Sequence, residues 1–301
     1  ILAEKAEVQV ALRYINDAID TYTQLIEKFG RTRERLQNRA VLYEKMAEFN
    51  HQHLLQVYAL EANEGWIVME LMQGSLETII SNGKRVGVKD ARRLLAHALL
   101  GLNYLHSRKC IHGLVRPSNI LFHVTRHAKL SDFEQIDSSA GIRVRKGESK
   151  YLAPELLKPE EFGKIGPALD LYCLALTILE SLMGKHFGQS IIGVNDAIDE
   201  ENAWLRWHSS PEPFPPTSEL IQGLPSDISS ALDGMLKKNV TERPAGVNAV
   251  LSAFKNVSRE KIDVAKTIVA EGQQSRTSRP SPTDAPAQPI SFYSPSTNPG
   301  P

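Results

Sequence analysis

His112-Gly113-Leu114-Val115-Arg116-Pro117-Ser118-Asn119 is the stretch from which the rest of this chain is read. At its centre, Leu114 has no lone pair and cannot act as a base. Upstream, residues 89–106 (KDARRLLAHALLGLNYLH) form a strong amphipathic pattern, with Leu94, Leu95, Ala98, Leu99, Leu102 and Leu105 on one side of a helix. Downstream, short strands are expected at 119–122 and 128–131. Residues 168–183 (ALDLYCLALTILESLM) are apolar nearly all round and predict a buried central helix, with Gly184 as its stop. Further helices fit 228–237 and 245–254.

The front of the chain differs. Residues 7–15 (EVQVALRYI) alternate and are rich in β-branched side chains, as in a strand. Apolar positions from 17 to 50 recur at helical steps, with a break at Gly30. Strands are expected again at 54–60 and 66–71. A β-rich front and a helix-rich back describe an α+β, two-lobed layout. From about residue 273 the chain becomes proline- and serine-rich and too poor in apolar residues to offset its ordering entropy, so disorder is expected there. The opening on Ile1 without an initiator methionine reads as a piece of something longer.

With 35 Lys+Arg against 35 Asp+Glu the net charge is +0, so nothing global draws the chain to nucleic acid or an anionic membrane. No apolar run reaches the length of a membrane span. Cys110 and Cys173 stand far apart in apolar contexts and read as buried, reduced thiols of a cytoplasmic protein rather than a disulfide framework. His123 and His127 flank an expected hairpin turn without a third ligand, so a metal site is not expected there. Trp204 and Trp207 are expected to pack a helix rather than dock a partner.

Several motifs, in order, resemble the eukaryotic-type protein kinase family. His112–Asn119 resembles its catalytic loop, H-R-D-L-K-x-x-N; Asp132-Phe133-Glu134 stands for D-F-G; Ala153-Pro154-Glu155 is an intact A-P-E. In the front half, Val10-Ala11-Leu12-Arg13 is similar to V-A-I-K, and residues 42–49 to helix C. The resemblance implies a bilobal kinase-like fold: a truncated small lobe over 1–72, a helical lobe over 73–258, and a terminal helix end with a disordered tail over 259–301. The first strand and glycine-rich loop of the family are absent from this chain.

Roles follow from the resemblance, position by position. ATP would sit against Ala11, Arg13, Met69, Glu70, Met72 and Leu121, and magnesium would be held by Asn119 and Asp132. His112 and Phe133 would pack structurally, Asp170 would brace the catalytic-loop backbone, and Glu155 would pair with Arg243. The departures fall on the chemistry. Leu114 occupies the catalytic-base position, and Arg116 replaces the lysine that reaches the γ-phosphate. Gly113 replaces the arginine that grips an activation-loop phosphate. Leu42 falls where the helix-C glutamate belongs, leaving Glu34 and Glu44 as alternatives.

A retained frame with exchanged polar residues implies a pseudokinase: a signalling or scaffold module with weak or no phosphoryl transfer that works through protein partners, with ATP and magnesium as candidate cofactors. Two rivals stay open. One is an active Ser/Thr protein kinase using non-standard residues. The other is a nucleotide-free protein-binding module.

Overall fold

Val8 and Val10 alternate with other residues in one of the strands that open the fold, and four such strands pair as a small antiparallel sheet. In this computed structural model, the described residues are 4–5, 8–13, 40–61, 66–132, 148–193, 197–252 and 268–270, with side chains over 44–60, 67–132, 148–193 and 200–252. The sheet runs in the order β1 (Glu4–Lys5), β2 (Val8–Arg13), β4 (Trp66–Glu70), β3 (Val57–Glu61). Its register sets Met69 opposite Ala11 on one side and Val57 on the other, and Arg13 opposite Ile67. Helix α1 (Ala40–Ala47) precedes β3, and its Met46 is buried.

The strand expected at 54–60 starts later, at Val57. Leu54 and Leu55 are drawn elsewhere: Leu55 N donates to Leu130 O at 2.8 Å, and Leu130 N donates to His53 O at 2.9 Å. They extend a second sheet, β5 (Met72–Ser75), β7 (Ile120–His123) and β8 (Ala128–Leu130), in the order β5-β7-β8. Helix α2 (Leu76–Ser81) follows β5, and the Ser75 hydroxyl caps it by accepting from Thr78 N at 3.2 Å. Strand β6 (Lys84–Val86) pairs with β9 (Ile268–Ala270).

Helix α3 (Val88–Ser107) carries the expected apolar stripe, and all six of its named positions are buried. A side chain at Gly101 would meet His53 O at 2.8 Å, so the 51–55 segment can lie against the helix only over a glycine. Short helices α4 (Pro154–Leu157) and α5 (Pro159–Phe162) lead to α6 (Ala168–Met183), whose bounds are those the sequence predicts and whose residues from Leu169 to Met183 are all buried. Helices α7 (His186–Ile192), α8 (Ala197–Ser209), α9 (Thr217–Leu220), α10 (Ser226–Met235) and α11 (Val247–Leu251) complete the larger lobe. The helix expected at 228–237 is thus shifted by two residues, and the one expected at 245–254 is shortened to five. Pro225 ends the preceding loop and sets the start of α10 at Ser226.

Together these elements make a two-lobed α+β fold, a small antiparallel sheet with one helix followed by a helical lobe. Among the described residues no helix is long and apolar enough to cross a membrane. Trp204 is fully buried, stacked on Phe187 at 5.4 Å between ring centroids, and Trp207 packs edge-on against Phe214, as the packing expectation has it. Cys110 and Cys173 are buried free thiols. The expected helices over 17–39, Phe133, Glu134 and the tail from 273 lie outside the described residues, as do the side chains of Ala11, Arg13 and Leu42.

Candidate functional site

The loop from His112 to Asn119 is shaped through its backbone. The Asp170 carboxylate, in the first turn of α6 and fully buried, accepts from His112 N at 2.8 Å and from Gly113 N at 2.7 Å. This is the brace that the resemblance implies. His106 Nε2, on α3, reaches the same carboxylate at 2.7 Å, a partner that sequence reasoning missed. Gly113 has φ of +78°, a conformation that costs a glycine little.

The Leu114 side chain is buried, and its carbonyl accepts from Asn119 Nδ2 at 2.9 Å. Asn119 N closes the turn onto Arg116 O at 2.9 Å, and the Ser118 hydroxyl donates to Asn119 Oδ1 at 3.0 Å. His112 is fully buried, and its Nδ1 accepts from Leu114 N at 3.3 Å. Burial pulls its pKa below the ordinary histidine value against the opposing pull of Asp170 and Asp132, which suits a packing role.

Asn119 and Asp132 come together because β7 and β8 pair beside them, with Ser131 N donating to Asn119 O at 2.9 Å. Asp132 has φ of +51°, in the left-handed region that aspartate adopts more readily than most residues other than glycine. One carboxylate and one carboxamide oxygen are a hard-donor pair. They fit magnesium, which keeps waters and phosphate oxygens in its remaining positions. Among the described residues no group of three or more His, Cys, Asp or Glu side chains is placed to hold a metal unaided. His123 and His127 instead meet the Thr125 hydroxyl through their Nδ1 atoms, at 2.7 and 3.0 Å.

Arg116 faces an acid that the sequence reading passed over. Its Nη1 lies 3.8 Å from Glu148 Oε1, and its Nε is buried without a hydrogen bond among the described residues. Glu148 is 4% exposed and opens a short 3-10 turn, Ser149–Tyr151. That turn is fixed to its surroundings: Tyr151 hydrogen-bonds Glu180, Cys173 Sγ contacts Tyr151 O at 3.0 Å, and Lys150 Nζ lies 3.1 Å from Glu180 Oε1 and 3.4 Å from Glu200 Oε1. The only sequence signal for Glu148 is an acid seven residues before Glu155. Glu44, one of the alternatives for the missing helix-C acid, is exposed.

The Glu155–Arg243 pair forms as the resemblance implies, bidentate at 2.7 Å on both arms, with both side chains fully buried. Arg243 also donates to the carbonyls of Ala168, Lys237 and Lys238, at 3.0, 2.8 and 3.1 Å.

At the opposite end, Met69 is buried between its neighbours in the sheet, while Met72 and Leu121 are half-buried. The Glu70 side chain is buried and committed: both oxygens accept from Lys129 Nζ, at 2.8 and 2.7 Å, and His123 Nε2 lies 3.2 Å away. Sequence reasoning set Glu70 against ATP and did not find Lys129. Behind this pair a cavity of about 460 Å³ is lined by Ala47, Asn50, His51, Tyr58, Glu70 and Lys129, among others.

A buried aspartate bracing a loop backbone, a metal-fit Asn–Asp pair at the ends of two strands and a buried Glu–Arg clamp define a protein kinase frame. The family model described as "Protein kinase domain" matches residues 27–279, and this chain belongs to that family. Residues 8–13, with Ala11 and Arg13, precede the matched span. The chain is similar to MAP kinase kinase MKK1/SSP32 of Saccharomyces cerevisiae, 31% identical over 233 residues, covering 71% of this chain and 44% of that protein. It is also similar to serine/threonine-protein kinase fused of Drosophila melanogaster, 28% identical over 226 residues, 72% of this chain and 26% of that protein. Serine/threonine-protein kinase PAK mbt of Drosophila melanogaster is 28% identical over 157 residues, 51% of this chain and 24% of that protein. The matched regions thus span less than half the length of each of these relatives.

Proposed function

We propose that the domain is a nucleotide-binding module of the pseudokinase kind, which presents a surface or changes conformation for protein partners and transfers phosphate weakly or not at all. The observation that carries this is Leu114: a buried side chain without a lone pair at the base position of an otherwise assembled loop. Loss of a general base costs about 10²–10⁴-fold in rate. Gly113 and the exposed Glu44 support the same reading, since neither an activation-loop phosphate grip nor a helix-C acid at 44 is available. ATP with magnesium is the ligand that Asn119 and Asp132 suit. The cytoplasm is the compartment that two buried free thiols suit.

The test is phosphoryl transfer from magnesium ATP by the 301-residue chain, to itself and to a general protein substrate, beside Asp132→Asn. Transfer no greater than that of the variant is expected. Metal-dependent transfer that Asp132→Asn abolishes would overturn the proposal in favour of an active Ser/Thr protein kinase. A thermal-shift series with and without magnesium ATP separates the nucleotide-binding module from a nucleotide-free one.

A further inference from the structure

We infer that Lys129 is a positioning residue for the nucleotide: its ion pair with Glu70 sets the adenine side of the site against the magnesium side. This rests on the nucleotide-binding part of the proposed function and adds a residue that acts through Glu70. On that reading adenine lies against Met69, Glu70, Met72 and Leu121, and magnesium at Asn119 and Asp132. The adenine side is split between two sheets. Strand β4, in the small-lobe sheet, ends at Glu70, and β5, in the second sheet, begins at Met72, so the chain passes from one to the other through Leu71 alone. Leu71 is exposed, and packing does little to fix that joint.

The ion pair spans the joint. Lys129 Nζ donates to both Glu70 oxygens, at 2.8 and 2.7 Å, and His123 Nε2 lies 3.2 Å from Oε1, so two strands of the second sheet hold the last residue of β4. The Lys129 and Glu70 side chains are 10% and 9% exposed, and water screens the pair little. Lys129 is also the cross-strand partner of Leu121. From Lys129 the same stretch of chain runs through Ser131, whose N donates to Asn119 O at 2.9 Å, to Asp132. One lysine thus stands beside an adenine-side residue, three positions before a metal ligand, and grips the end of β4. Backbone bonds join Leu130 to His53 and Leu55, and Glu70 N to Gln56 O at 2.9 Å. These do not involve the lysine, so its loss loosens the joint without parting the sheets. Two charge-assisted hydrogen bonds fix a distance and an angle, whereas an apolar contact in their place would fix neither.

The test is calorimetric titration of the 301-residue chain with adenosine, which reaches the adenine side only, and with magnesium ATP, which spans both sides. It is repeated on Lys129→Met, on Lys129→Arg, and on Lys129→Met combined with Glu70→Leu. The readout is the factor by which magnesium ATP binds tighter than adenosine. Lys129→Met should cut that factor about tenfold, the scale of coupling between two sites, while adenosine binds within about twofold of its natural affinity. Lys129→Arg, whose fork meets both carboxylate oxygens, should keep most of the factor. The double variant should regain stability without regaining the factor; a merely structural lysine would restore the two together. It also decides the matter where Lys129→Met does not fold. An unchanged factor in either folded variant without the lysine overturns the inference, and equal weakening of both ligands counts as unchanged. Magnesium ATP binding no tighter than adenosine to the natural sequence also overturns it, while leaving nucleotide binding standing. Binding of neither ligand removes the nucleotide reading itself.

Discussion

Acidification from pH 7.5 to 5 should destabilise this domain by roughly 4 kcal/mol, and two buried histidines supply most of the loss. Burial lowers the His53 pKa to about 4 and, with the charge of Lys238, the His208 pKa to about 3, from an ordinary value of 6.5. Both pKa values lie below that of the unfolded chain. The unfolded state therefore binds more protons as pH falls through 6.5, and stability drains away until the folded values are reached. At pH 5 the linkage relation gives about 2 kcal/mol for each group. The geometry says why neither ring accepts the proton. His208 is engaged at both nitrogens, Nδ1 at 3.0 Å from the Tyr172 hydroxyl and Nε2 at 3.2 Å from Lys150 O, so it donates to the carbonyl and accepts from the phenol. His53 donates Nδ1–H to Ala128 O at 3.0 Å while stacked 4.4 Å from His97, whose own Nδ1 accepts from Ala128 N at 3.3 Å. Two imidazoles thus hold the two polar groups of one buried residue, and a charge on either would face the other.

Three further histidines, His51, His112 and His123, are lowered in the same direction and add to the effect. Glu180 works against it: burial raises its pKa, so the folded state takes up its proton early and gains stability on acidification. Urea unfolding at 25 °C followed by Trp204 and Trp207 fluorescence, at half-unit pH steps, measures the sum. His208→Gln should remove about half of the slope between pH 6.5 and 5. A loss below about 1 kcal/mol over the whole range, or a slope that His208→Gln leaves intact, would refute the reasoning.

Three other perturbations test the frame. Arg243→Ala strands a fully buried Glu155 and should cost about 3–5 kcal/mol in urea unfolding, with Arg243→Lys recovering little because an ammonium cannot replace the bidentate fork. Lys129→Met should cost roughly 2–4 kcal/mol, by leaving the buried Glu70 carboxylate with only the His123 imidazole beside it, whereas Lys129→Met with Glu70→Leu should recover most of that loss in the same measurement. Asp170→Asn keeps the shape but weakens the two backbone bonds, and that of His106, to a charged acceptor; it should expose the amides of His112 and Gly113 to hydrogen exchange at a cost of about 1.5–3 kcal/mol each.

What the sequence disclosed and what it hid divide by range. Helices α3 and α6 were legible to within a residue because a long periodic stripe, or its absence, is a local property. The strand at 54–60 was not, since Leu54 and Leu55 look as strand-like as Val57 and only their partner, Leu130, tells them apart. The Glu155–Arg243 clamp and the Asp170 brace span 88 and up to 58 residues and were reached through the resemblance alone. His97, His106, Lys129 and Glu148 belong to no motif that the reading used, and nothing in their neighbours' spacing announces a partner far along the chain.

The survival of the loop around an absent base has a physical cause that can itself be tried. Three bonds that shape its first half run to the backbone: Asp170 accepts from His112 N and Gly113 N, and Asn119 Nδ2 donates to Leu114 O. None of the three asks which side chain stands at 114, so the turn holds with a leucine there, while the φ of +78° at 113 suits its glycine. Leu114→Asp should then reveal two separable effects. Placing a carboxylate where a buried leucine packed should lower stability by about 2–4 kcal/mol. The amides of His112 and Gly113 should stay as protected from exchange as in the natural sequence once that global loss is subtracted, in contrast to Asp170→Asn. If Leu114→Asp instead releases those two amides, the leucine shapes the loop by packing, and the separation of frame from chemistry does not hold at this position.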